Sequence, residues 1–146
     1  MYLIRKCLQE LRKDPWILME AGLALIFFRV SLKFIPFNKF YLVLKIFLKT
    51  PRRPYTDRLN YTYRVVKSVN RCGHYLVRGK CLPQALAVHV LLNNKRIFND
   101  LHVGFNKTAN VYSAHAWIEA ENKILIGEVK NIHSYFSIFP VIKSQI

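Results

Sequence analysis

Cys81, His115 and Glu128 are the residues whose types and order suggest chemistry: a thiol, an imidazole and a carboxylate. Cys81 follows Arg78-Gly79-Lys80 and precedes Leu82-Pro83-Gln84-Ala85-Leu86-Ala87-Val88-His89-Val90-Leu91-Leu92. Gly79 supplies a turn, and Pro83 fits only the first turn of a helix, where its missing N–H is not needed. Cys81 is therefore expected at a helix N-terminus, with Lys80-Cys81 where a Ser, Thr, Asp or Asn cap usually stands. There the helix dipole and a neighbouring ammonium favour thiolate, the nucleophilic form. The competing assignment is a buried structural cysteine, which most free cysteines are.

The second feature is Ser113-Ala114-His115-Ala116-Trp117-Ile118-Glu119. Read as a strand, it sets His115, Trp117 and Glu119 on one face and Ala114, Ala116 and Ile118 on the other. A two-residue hairpin at Glu121-Asn122 pairs Ala120 with Lys123 and, counted along the ladder, His115 with Glu128. Directly opposed residues are about 4.5–5.5 Å apart at Cβ, so Glu128 is expected to orient the ring and leave its other nitrogen for Cys81. A slip of one residue replaces Glu128 by Gly127 or Val129. Trp117 is read as support beside His115.

The elements that must position these groups follow from periodicity. Met1 to Asp14 spaces Leu3, Ile4, Cys7, Leu8 and Leu11 helically, and Asp14-Pro15 begins a second helix, Trp16 to about Ile35. Its apolar run Ala21 to Phe28 is too short for the roughly 18–20 residues of a membrane span, so a helix buried against the protein is expected, with membrane-surface contact the alternative. Phe37 to Lys49 reads as a third helix and Thr50-Pro51-Arg52-Arg53-Pro54 as a linker. A fourth helix runs from Thr56-Asp57-Arg58 to about Cys72, with Gly73 as its end. Strands are expected at Asp100 to Phe105, Val111 to Ala120 and Lys123 to Val129, with an apolar tail packing back on the sheet. Helices followed by an antiparallel meander make an α+β fold. Residues 1–50 form a basic, apolar helical N-terminal region packed on a core of residues 55–146.

Composition narrows the class. The chain has 146 residues, 52% hydrophobic, which suits one folded domain and excludes a disordered chain. Cys7, Cys72 and Cys81 are an odd set without paired spacing, which points to a reducing, cytoplasmic setting. A net charge of +15 implies an acidic partner: a peptide or protein, anionic lipid, or nucleic acid. Tyr55, Tyr61, Tyr63 and Tyr75 interleave with basic residues, as in nucleic-acid binders, but no basic stripe or motif accompanies them, and no nucleic acid is expected. Cys72, His74, Cys81 and His89 have the types of zinc ligands but no common ligand spacing, so no metal is assigned. His89 reads as a core histidine; His102 and His133 carry no signal.

The order of a cysteine on a helix start, a histidine on a strand and an acid on the next strand resembles the transglutaminase-like branch of papain-type folds. Lys80-Cys81-Leu82-Pro83-Gln84-Ala85-Leu86-Ala87, Leu91-Leu92, Leu101-His102-Val103-Gly104, Ala114-His115-Ala116-Trp117-Ile118-Glu119, Ile35-Pro36-Phe37 and Ile126-Gly127 are, more narrowly, similar to the B2 family of lasso-peptide biosynthesis, small cysteine proteases that remove a precursor's leader. The resemblance implies a transglutaminase-like core, Cys81 as nucleophile and His115 as general base and acid; for the oxyanion, which needs two donors, the Cys81 backbone N–H is a natural one. It implies no cofactor. The family often carries an aspartate where Glu128 stands; Glu128 takes that place here, or the acid is dispensable, or Asn122 or Asn131 orients the ring. The implied partners are a precursor peptide cut at its leader–core junction, a separate small leader-recognition protein and a lactam synthetase. An amidase or acyltransferase using the same acyl-enzyme is the alternative chemistry.

Overall fold

A computed structural model describes residues 15–36, 39–40, 42, 44, 56–108, 111–137 and 142–143. The helix expected over Met1 to Asp14 and the linker at Thr50 to Pro54 lie outside the described residues. So does most of the helix expected at Phe37 to Lys49, although described positions 39, 40, 42 and 44 are helical, with Phe40 and Leu44 buried.

Helix α1 spans Pro15–Phe34, α2 spans Arg58–Leu76 and α3 spans Cys81–Asn93. Five strands follow: β1 Asp100–Thr108, β2 Val111–Ala120, β3 Lys123–Ile126, β4 Phe136–Ser137 and β5 Ile142–Lys143. All pairings are antiparallel: β3 pairs with β2 and β2 with β1, while β4 and β5 join the other edge of β1 at Gly104–Phe105 and Asp100–Leu101. The fold is α+β. The tail contributes two short strands rather than only packing on a face.

Helix α3 is the hub, and its sequence explains why. Pro83 through His89 are all buried, so this helix has no polar face and must be enclosed on every side. It packs on α1, α2 and β2. Ala116, Ile118, Leu101 and Ile126 come from the sheet, and Val65, Val69, Ala21, Leu25 and Phe28 from the helices, into one core.

Helix α2 runs three residues past the end expected at Gly73. Gly73 does not terminate the helix; it admits α3. A Cβ there would lie 2.7 Å from Gln84 Cδ, so the glycine lets α2 and α3 approach. The chain turns just beyond, through Arg78 and Gly79 at φ 50° and 70°, and Cys81 begins the next helix.

Helix α1 differs from the expectation of a buried helix. One side enters the core, but Trp16, Met19, Leu23, Ile26, Phe27, Val30 and Phe34 are exposed. At 100° per residue they form a single stripe, so the helix is apolar on both sides and the described residues cover only one of them. No helix among the described residues is long and apolar enough to cross a membrane.

Candidate active site

The hairpin at Glu121-Asn122 forms as the sequence indicates. Both turn residues are left-handed, at φ 50° and 60°, and Ala120 pairs with Lys123. The register then shifts between Ile118 and Glu119, so that Ile118 faces Ile126 rather than Leu125. That bulge places one extra residue on β3 and undoes the expected pairing of His115 with Glu128. Glu128 is exposed instead.

The ring is held instead by the residue before Glu128. His115 Nε2 lies 2.6 Å from the carbonyl oxygen of Gly127, so the Nε2–H donates and Nδ1 keeps its lone pair. Gly127 is needed for this contact. Its φ is +85°, and a Cβ would sit 2.6 Å from the Ala116 carbonyl oxygen. Asn122, exposed at the hairpin tip, and Asn131, whose carbonyl accepts from Ser134 Oγ, do not hold the ring.

An aromatic stack fixes the face on which His115 lies. Trp117 is buried and stacks on His102 at 5.1 Å and 6°, while His115 lies 6.2 Å from Trp117 and 5.6 Å from Tyr135, centroid to centroid. Gly104, opposite His115 in the ladder, makes room: a Cβ there would come within 2.9 Å of both Trp117 Cζ3 and Tyr135 Cβ. Tyr135 Oη reaches Ser113 Oγ at 3.3 Å. His102, which carries no signal in the sequence, also meets Glu119 at 3.5 Å. The pairing of Gly104 with His115 and of His102 with Trp117 could have pointed to this stack once the β1–β2 register was drawn.

Cys81 is a free, half-buried thiol at the first residue of α3. Lys80 occupies the cap position in an extended conformation, no side chain caps the helix, and no acid stands in its first turn. Among the described residues the backbone N–H groups of Cys81 and Leu82 have no hydrogen-bond acceptor, and Pro83 has no N–H. Two donors thus lie beside the sulfur. Cys81 also forms part of the wall of a cleft of about 910 Å³ between the start of α3 and the C-terminal turns of α1.

Cys81 and His115 make no hydrogen bond to each other, and His115 does not line that cleft. Strand alternation puts Ala116 and Ile118 in the core beneath α3, with His115, Trp117 and His102 on the other face. Strand β3 pairs with β2 only over Ile118 to Ala120, and Gly127, just past its end, lies against the Ala116 carbonyl beside His115.

The histidine drawn into the zinc set has another role. His89 is fully buried and its Nδ1 lies 2.6 Å from Asn99 Oδ1, while Nε2 has no hydrogen-bond partner among the described residues. Burial lowers its pKa to about 4, against the smaller opposing effects of Asn99 and Asp100, so the ring is neutral. No group of three or more metal-ligating side chains occurs among the described residues.

No curated protein and no solved structure matches the chain. A family model does, over residues 23–139, which run from the middle of α1 through β4 and include Cys81, His115 and Gly127. The chain therefore belongs to the transglutaminase-like superfamily, a superfamily of cysteine-based enzymes that includes proteases and acyltransferases.

Proposed function

We propose that this protein is a cysteine peptidase that removes the leader from a ribosomally made lasso-peptide precursor. The observation that carries the reading is the hydrogen bond from His115 Nε2–H to the Gly127 carbonyl. It fixes the tautomer in which Nδ1 is a base, as a Cys–His pair requires.

The distances along the two elements support the pairing. His89 bonds Asn99, next to Asp100, which pairs with Glu119. Eight residues of helix back to Cys81 rise about 12 Å, and four residues of strand back to His115 rise about 13 Å. With α3 packed on β2, these two nearly equal rises support a common level for sulfur and imidazole. Hydrogen bonds of catalytic pairs are often long before substrate binds.

In the proposed reaction His115 Nδ1 takes the thiol proton and Sγ attacks the carbonyl carbon at the leader–core junction. The Cys81 and Leu82 N–H groups receive the oxyanion. Collapse breaks the C–N bond as His115 returns the proton to the departing core amine. Water, deprotonated by His115, then hydrolyses the thioester. Trp117 and Tyr135 are positioning residues for the ring, and the exposed Glu128 has a secondary part. A small leader-recognition protein presents the precursor, and a lactam synthetase takes the released core. The setting is cytoplasmic. An amine in place of water would turn the same acyl-enzyme into an acyltransferase.

The test is mass spectrometry of a candidate precursor mixed with its recognition protein and this protein. Cleavage by the wild type and none by Cys81→Ala is expected; cleavage by Cys81→Ala would refute the assignment.

A second reading has its own observation, the exposed apolar stripe of α1. With Arg29 and Lys33 beside it on a chain of net charge +15, it suits the surface of an anionic membrane. Co-sedimentation with phosphatidylglycerol vesicles but not phosphatidylcholine vesicles is expected, and equal sedimentation with both would count against it.

A further inference from the structure

The cleft beside Cys81 carries positive charge on both walls. Arg29 and Lys33 line it from α1 and Lys80 from the turn before α3, with Val30 and Phe34 between them. No carboxylate lines it among the described residues. We propose that this cleft binds an acidic peptide segment next to the bond that Cys81 attacks, so that the substrate is selected by negative charge flanking the cleavage site. This rests on Cys81 being the nucleophile.

Three features favour that occupant. First, the cations are uncompensated: among the described residues none of the three pairs with a carboxylate. Arg29 Nη1 donates to the Leu76 carbonyl, which orients the guanidinium without neutralising it, and Lys33 Nζ lies 6.0 Å from the Phe34 ring centroid. Like charges around one concave space repel, and an anionic guest relieves that repulsion. Second, the apolar walls limit solvent screening, which strengthens the field where a guest would sit. Third, about 910 Å³ is at the upper end of the usual range for ligand sites and suits several residues of extended chain. A peptide fits better than nucleic acid, because a carbonyl must reach Cys81 Sγ, which forms part of the wall. The Val30 and Phe34 side chains also match those of a peptide.

The experiment is protection of Cys81 from iodoacetamide, followed on the Cys81 peptide by mass spectrometry. The probes are acetyl-tetraglutamate amide and its tetraglutamine counterpart, used on the full chain. The glutamate peptide at millimolar concentration should slow Cys81 alkylation at least about fivefold more than the glutamine peptide at low salt, as expected for attraction to uncompensated cations. The discrimination should vanish in Lys33→Gln/Lys80→Gln and at 0.5 M NaCl. Equal protection by both peptides, protection by neither, or discrimination that survives the double substitution would overturn the proposal. The peptidase reading fails on a different result: alkylation of Cys81 that does not depend on His115.

Discussion

Two histidines in this fold each make a hydrogen bond of 2.6 Å through one ring nitrogen, and they serve opposite ends. His89 gives Nδ1–H to Asn99 and turns Nε2 into a sealed core, where no hydrogen-bond partner among the described residues meets it. His115 gives Nε2–H to Gly127 and leaves Nδ1 at a half-buried site. The tether is equally short in both. What differs is where the second nitrogen is left, and that decides whether an imidazole serves the structure or can move a proton. A strong hydrogen bond to a histidine is therefore not by itself a mark of catalysis.

Substitutions separate the two roles. Cys81→Ala removes the nucleophile and should abolish precursor cleavage with the unfolding midpoint little changed. His115→Ala should lower the cleavage rate by about 10²–10⁴-fold, the usual share of general acid–base catalysis, while His89→Leu should leave the chemistry and change stability instead.

The pH profile of stability sharpens the contrast. His89 is held near pKa 4 when folded and returns to about 6.5 when unfolded, so between these values the unfolded chain binds the extra proton. Stability contributed by the neutral ring is full above pH 6.5 and is lost as pH falls towards 4, by about 3 kcal/mol in all. Urea titrations at pH 7 and pH 4.5 should show that drop, and in His89→Leu the two midpoints should converge. A drop of the same size in His89→Leu would assign it elsewhere.

Smaller effects probe the tether of His115. Gly127→Ala forces a side chain into a left-handed position against the Ala116 carbonyl, and should lower cleavage about tenfold or more through a misplaced ring. Glu128→Gln, at an exposed side chain that makes no hydrogen bond to the ring among the described residues, should change cleavage by less than about threefold. A loss in Glu128→Gln as large as in Gly127→Ala would restore the carboxylate as the orienting group.

Much of this was legible in the chain. Pro83 two residues after Cys81 marks the start of α3, and the uninterrupted apolar run after it requires enclosure. Glu121-Asn122 gives the hairpin and the first rung of its ladder. The third group was not legible, because a one-residue bulge at Ile118/Glu119 depends on how β3 packs over the core rather than on any turn residue. The orienting acceptor is a backbone carbonyl, which no side-chain pattern can announce. Gly73 misled for a similar reason: a glycine that admits a neighbouring helix and one that ends a helix look alike until Gln84 is brought beside it. The outer stripe of α1 was misread because apolarity on both sides of a helix normally means burial.

The central claim is that His115 serves Cys81, and it can be tested without a substrate. The measurement is the rate of Cys81 alkylation by iodoacetamide at pH 7, read on the Cys81 peptide, in wild type, His115→Ala and His89→Leu. Loss of the His115 base should slow the reaction at least about tenfold, while loss of His89 leaves it within about twofold. Equal rates in wild type and His115→Ala would contradict the account.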